Sequence, residues 1–123
     1  MPLDPITLVT VSPFEKNLSH FIDTDKSFKV TVRNLDGVTP TNIVGWTISF
    51  TVHAYKDPNV VYITKTVGSG VTISNGLAGE LTVVVDDDDV DDMAPGQYEY
   101  RLERTTAGSE FVIGRGMYTL LAR

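Results

Sequence analysis

The sequence predicts an all-β protein, an antiparallel β-sandwich of seven to eight short strands. Three observations carry that expectation. Apolar and polar residues alternate with period two through most of the chain, the spacing at which successive side chains of a strand face opposite sides of a sheet. Turn signals such as Asp36-Gly37, Asp57-Pro58, Gly68-Ser69-Gly70, Asn75-Gly76 and Pro95-Gly96 punctuate the alternation at short intervals. No segment sustains the 3.6-residue apolar period of an amphipathic helix, and no repeat of solenoid or propeller length is present.

Taken in order, a proline-bounded leader precedes Ile6 to Ser12, which is β-branched and apolar enough for a first strand that stops at Pro13. Residues 1–13 therefore read as an N-terminal arm and first strand, and residues 14–123 as the remainder of a single β-sandwich domain. Phe14 to Asp25 has no period and reads as loop. Ser27 to Arg33 alternates strictly, with Phe28, Val30 and Val32 directed inward, and Asn34 to Pro40 carries an Asp-Gly turn. The strongest pattern runs from Trp46 to Tyr55, where Trp46, Ile48, Phe50, Val52 and Ala54 share one face, and it predicts a central strand. Val60 to Val67 follows the Lys56 to Asn59 turn. Val71 to Ser74 and Glu80 to Val85 then flank Asn75 to Gly79, whose glycines offer the left-handed positions of a hairpin loop. After an aspartate run, Pro95-Gly96 launches Gln97 to Arg104, in which Tyr98, Tyr100 and Leu102 share the buried parity. Glu110 to Leu121 closes the sheet, with a bulge expected at Gly114-Arg115-Gly116.

At 123 residues the chain makes one domain, large enough to bury roughly two thirds of its unfolded surface. It has no cysteine, which excludes a disulfide scaffold and a thiolate metal site. The start shows no basic segment followed by an apolar run, and no stretch of about 18 apolar residues occurs, so neither a signal peptide nor a membrane span is expected. The net charge is −6, and six aspartates lie between Asp86 and Asp92, so the acidity is local. Lys and Arg are scattered singly, without the cationic stripe that nucleic-acid binding requires.

Little of the remaining chemistry points to catalysis. Asp87, Asp89 and Asp91 match the first, third and fifth positions of an EF-hand loop, but Asp92 stands where glycine is needed and Tyr98 where a bidentate glutamate belongs. The run reads as a solvated loop or single helical turn between sheets. A looser calcium site from Asp87, Asp89 and Asp91 with a neighbouring loop is the alternative. His20 and His53, the two histidines, lack a serine-elbow or cysteine partner and read as surface polarity. No catalytic residue and no cofactor are expected. Trp46 shares the parity of Ile48 and Phe50, which argues for core, whereas Tyr55, Tyr62 and Tyr118 leave open an aromatic platform for a sugar ring.

Two resemblances follow from these residues. The order of strands resembles an immunoglobulin-type sandwich, with Trp46 on the third strand and Tyr98 at the entry to the penultimate one, where such folds place a tyrosine corner. That resemblance puts Tyr100 at the position of the second cysteine and Val30 or Val32 at the first, with packing in place of the disulfide. Together with Leu35-Asp36-Gly37, Ile43 to Phe50, Ala78 to Val83, Pro95 to Tyr100 and Gly116 to Leu120, the layout resembles tailed-bacteriophage virion structural proteins with an immunoglobulin-like domain, of the baseplate upper protein, fibre adaptor and capsid-associated kinds. The resemblance implies a non-enzymatic virion component, assembled in the host cytoplasm and present in symmetric multiple copies. Its partners would be other virion proteins, with a host-surface glycan a possibility on the tail, and with neither nucleic acid nor membrane. A carbohydrate-binding β-sandwich module, calcium-assisted or not, is the alternative.

Overall fold

The computed structural model describes residues 6–11, 14–33 and 38–122, with the backbone only for 6–11, 14 and 111. The leader at 1–5, residues 12–13 and the expected turn at 34–37 lie outside the described residues. Ten strands appear among those described: β1 (Ile6–Val11), β2 (Phe14–Glu15), β3 (Leu18–Phe21), β4 (Lys26–Arg33), β5 (Ile48–Ala54), β6 (Asp57–Val67), β7 (Gly70–Asn75), β8 (Glu80–Val85), β9 (Gly96–Arg104) and β10 (Phe111–Leu121). They form one hydrogen-bonded path in the order β1-β4-β8-β7-β6-β5-β9-β10-β2, with β3 also on β10. The path folds over at the short β6–β7 pairing, so that β4 and its neighbours face β5, β9 and β10 across a common core. This is an all-β sandwich of the immunoglobulin-like class.

The alternation places the core as read. Phe28, Val30 and Val32 of β4, Ile48, Phe50 and Val52 of β5, Leu81, Val83 and Val85 of β8, and Tyr100 and Leu102 of β9 are all buried. Burying a large apolar side chain contributes roughly 1.5–3 kcal/mol, which is why the inward parity of each strand dictates its facing. In β10 the buried positions change parity, from Ile113 to Tyr118 and Leu120. The cause is a bulge between Val112 and Gly114, which inserts Ile113 as an extra residue opposite β9. The bulge thus falls at Ile113, one residue before the Gly114-Arg115-Gly116 stretch begins. Gly116 has a different job: a Cβ there would collide with the Lys16 carbonyl, so its bareness lets the link between β2 and β3 cross close to β10.

Several elements depart from the sequence reading, among them β6, which begins at Asp57 within the expected Lys56 to Asn59 turn. Phe14 to Asp25 is not all loop, because β2 and β3 pair in parallel with β10. Their alternation is only four residues long and one of its inward positions is His20, so no apolar period marks it. β1 pairs in parallel with β4, and β6 meets β7 in parallel at Thr66 and Val67, which adds parallel contacts at the margins of an otherwise antiparallel sandwich. β5 starts at Ile48 rather than Trp46, since Trp46 N–H bonds back to the Ile43 carbonyl across a turn at Val44 and Gly45. Within the β7–β8 loop only Gly79 adopts the left-handed conformation, at φ 70°, while Asn75 Oδ1 accepts from Ala78 N–H at 3.3 Å to close a single 3₁₀ turn.

Candidate functional site

The centre of the sandwich is aromatic. Phe50 of β5 stacks on Tyr100 of β9 at 5.6 Å between centroids, and Phe28 of β4 reaches across the core to Phe50 at 6.3 Å and to Tyr118 at 6.1 Å. The inter-sheet role that the immunoglobulin resemblance assigned to Val30 or Val32 therefore includes Phe28, whose ring spans the distance a valine cannot. Tyr100 donates its hydroxyl to the Lys16 carbonyl at 2.6 Å, which ties β9 to the β2–β3 link, and burial pushes its phenol well above the usual range. Tyr98 donates to the Ala94 carbonyl at 2.7 Å, back to the turn that precedes its strand. Burial and the neighbouring Tyr62 phenol also hold Tyr98 above the ordinary tyrosine value. Trp46 lies at the rim of the core, half-buried, with the Arg104 guanidinium 4.3 Å over its ring.

His20 is the largest correction, because it is 1% exposed rather than a surface residue. Its Nε2 faces the Thr24 carbonyl at 2.5 Å and its Nδ1 faces the Tyr118 hydroxyl at 2.7 Å. A carbonyl only accepts, so Nε2 carries the proton and donates to Thr24. Nδ1 must then accept from Tyr118 Oη–H, which defines the neutral tautomer. Burial, opposed by the Thr24 hydrogen bond, lowers the pKa of this imidazole. Burial, with the charge of Asp89, raises the Tyr118 phenol. Tyr118 is fully buried, so it drops out of any sugar platform. His53 is also buried, at 7% exposed, with Nδ1 donating to the Ala54 carbonyl at 3.0 Å.

The aspartate run forms a 3₁₀ turn, Asp87–Val90, pinned by Val90 in the core. Asp89 turns inward, where its Oδ2 lies 2.8 Å from Lys65 Nζ and accepts the Asp86 amide at 2.7 Å. Asp87 and Asp91 stay exposed, and the Asp91 carboxyl sits above its usual range through partial desolvation and the charges of Asp88, Asp87, Asp23 and Asp92. Asp89 is thus engaged by Lys65 and the Asp86 amide, while Asp87 and Asp91 are exposed. Among the described residues, no group of three or more His, Asp or Glu side chains is arranged to hold a metal ion.

What remains exposed and apolar is concentrated on β6. One edge of β6 pairs with β5, but β7 covers the other only at Thr66 and Val67, so from Asp57 to Lys65 no second strand lies beside it among the described residues. Tyr55, Val60, Val61, Tyr62 and Val67 stand in water there, Val61 and Tyr62 each 48% exposed. Tyr62 meets Tyr98 edge-on at 5.2 Å, and the Lys56 ammonium lies 5.2 Å over Tyr55. Pro58 and two register shifts in the pairing with β5 break the regularity of this strand, devices that limit promiscuous strand pairing. An unpaired strand flanked by aromatic and β-branched side chains can accept an extended segment or a partner sheet by main-chain hydrogen bonds. The sequence showed the strand but not this exposure.

No protein-family model matches this chain, and no curated protein matches it in sequence. Its fold is similar to that of the N-terminal domain of phage TP901-1 ORF48, with a TM-score of 0.58 at 18% identity over 98% of both chains. It is also similar, with a TM-score of 0.47 at 16% identity over 88% of this chain and 99% of the other, to the NK cell receptor Nkp44, described as a triggering partner in natural cytotoxicity.

Proposed function

We propose that this chain is a non-enzymatic structural protein of a tailed-bacteriophage virion, a decoration, adaptor or baseplate module that works through protein contacts. The observation that carries the reading is the open β6 edge, where Tyr55, Val60, Val61 and Tyr62 are exposed and no second strand lies alongside among the described residues. Edges of this kind are covered when a protein is part of an assembly. The likeness in fold to the N-terminal domain of a phage protein, over nearly the whole of both chains, supports the phage assignment. The partners are other virion proteins in symmetric copies, and the working location is the virion.

A carbohydrate-binding role keeps one favourable observation, the exposure of Tyr55 in the β5–β6 turn and of Tyr62 on β6. A cryo-EM map of the phage particles and a glycan array with the isolated chain separate the two. Density for the chain in the particle, with β6 against a neighbour, is the expected result. Saturable sugar binding by a monomer that is absent from particles would overturn the proposal.

A further inference from the structure

The outer face of β5, β9, β10 and β2 holds a concavity of about 410 Å³, within the range of ligand pockets, and its lining includes Lys56, Arg101, Arg115, Glu15, Glu99 and His53. Arg101 and Arg115 are directly opposite each other across the β9–β10 ladder. Like charges in that relation repel unless an anion lies between or beside them. Arg115 has one, since Glu15 Oε1 accepts from its Nε at 3.2 Å and its Nη2 at 2.9 Å. Arg101 has only Glu103, whose oxygen is 3.6 Å away and beyond hydrogen-bond reach. Glu99 is occupied with the Lys56 amide at 2.6 Å. His53 lies beside Glu99 on the facing strand, more than nine-tenths buried, with Nδ1 bonded to Ala54 and Nε2 without a partner among the described residues. The imidazole Nε2 is left as an acceptor and offers nothing to a carboxylate, so the group on the floor that remains open to an acidic partner is the Arg101 guanidinium, crowded by Arg115 and held only by its long ion pair with Glu103.

We propose that this concavity receives the aspartate run of a second copy of the chain. That run is the one dense acidic segment in the sequence, and without its six carboxylates the net charge of −6 would be zero. Asp86, Asp87, Asp88, Asp91 and Asp92 are exposed on a 3₁₀ turn that is anchored by Val90 and by the Lys65 to Asp89 pair, so the carboxylates are presented on a fixed support. Carboxylates suit Arg101 because a guanidinium offers paired donors in a plane. The contact joins two different surfaces of the chain, so it is heterologous and propagates into rings or filaments rather than stopping at a two-fold dimer. It stands on charged side chains rather than on the apolar ones of β6, and it does not require the phage reading.

Sedimentation velocity of the full chain tests it. Association that grows with concentration and weakens at least about tenfold between roughly 0.01 M and 1 M salt is expected, because screening shortens from about 30 Å to about 3 Å over that range. Arg101→Glu should be monomeric, and so should the double variant Asp88→Lys/Asp91→Lys. Mixing the two should restore a 1:1 complex and nothing larger, since only the intact run of the first can enter the intact concavity of the second. If a charge reversal disturbs the far-UV circular dichroism, Arg101→Gln replaces it and should weaken association at least about threefold, a loss of roughly 0.65 kcal/mol from RT ln 3. A wild-type chain that stays monomeric at low salt overturns the proposal. So does association that ignores salt or survives Arg101→Glu, which would point to β6 instead, and so does a mixture that forms no complex.

Discussion

Replacing Tyr118 by Phe removes one oxygen atom from the centre of the sandwich and leaves its shape almost unchanged. Tyr118 is fully buried and its hydroxyl donates to His20 Nδ1 at 2.7 Å, while His20 Nε2–H is committed to the Thr24 carbonyl. After Tyr118→Phe, Nδ1 is a buried acceptor with no donor. The other tautomer does not rescue it, because Nε2 would then present a lone pair to the Thr24 carbonyl. Leaving a buried polar atom unsatisfied costs about 1–3 kcal/mol, more than the 0.5–1.5 kcal/mol that a typical hydrogen bond contributes net, and the lost volume is too small to add a cavity penalty. The expected loss is about 2 kcal/mol in urea denaturation with an unchanged m-value, or roughly 3–6 °C in Tm per kcal/mol for a domain of this size. A double-mutant cycle with His20→Leu sharpens it, since replacing both partners by apolar groups is expected to recover at least about 1 kcal/mol. A loss below about 0.5 kcal/mol, or strict additivity in the cycle, would refute the tautomer assignment and the buried pair with it.

Tyr98→Phe removes the same atom from a half-buried ring, where water can take over the Ala94 carbonyl, so unfolding should show a loss on the order of 1 kcal/mol and less than that of Tyr118→Phe. A neutral result would mean that the bond back to Ala94 does not form in solution. Stability should fall on acidification through His20: its folded pKa is lowered, so the unfolded chain binds more protons below the free value of about 6.5 and the stabilisation present above that pH is lost as pH falls towards the folded pKa. Urea midpoints that decline below about pH 6.5 in the wild type, with a shallower decline in His20→Leu, are the check. Gly116→Ala should cost roughly 1–3 kcal/mol by driving a methyl into the Lys16 carbonyl, and amide exchange should show β2 and β3 loosening first.

The alternation of Phe28, Val30 and Val32, of Ile48, Phe50 and Val52, and of Leu81, Val83 and Val85 determined the sandwich by itself, because a strand with one apolar face has few ways to bury it. The same local logic marked Tyr98, Tyr100 and Phe50, whose neighbours on the chain state their parity. It failed where pairing came from far away. β2 and β3 are held by β10, about a hundred residues distant, and Leu18-Ser19-His20-Phe21 is too short and too polar to announce a strand. His20 read as surface because a histidine's burial depends on the donors and acceptors that meet it, here Tyr118 and Thr24. The surfaces proposed for interaction were invisible for the same reason. Val60, Val61 and Tyr62 have the composition of a buried strand, and they stand in water where β6 has β5 on one side and no second strand on the other among the described residues. Arg101 and Arg115 are 14 positions apart in a sequence where every cation looks isolated, and only the β9–β10 register sets them face to face. Periodicity is local and survives in the sequence, whereas which edge is covered and which charges become neighbours is decided by long-range register, which the tertiary structure alone supplies.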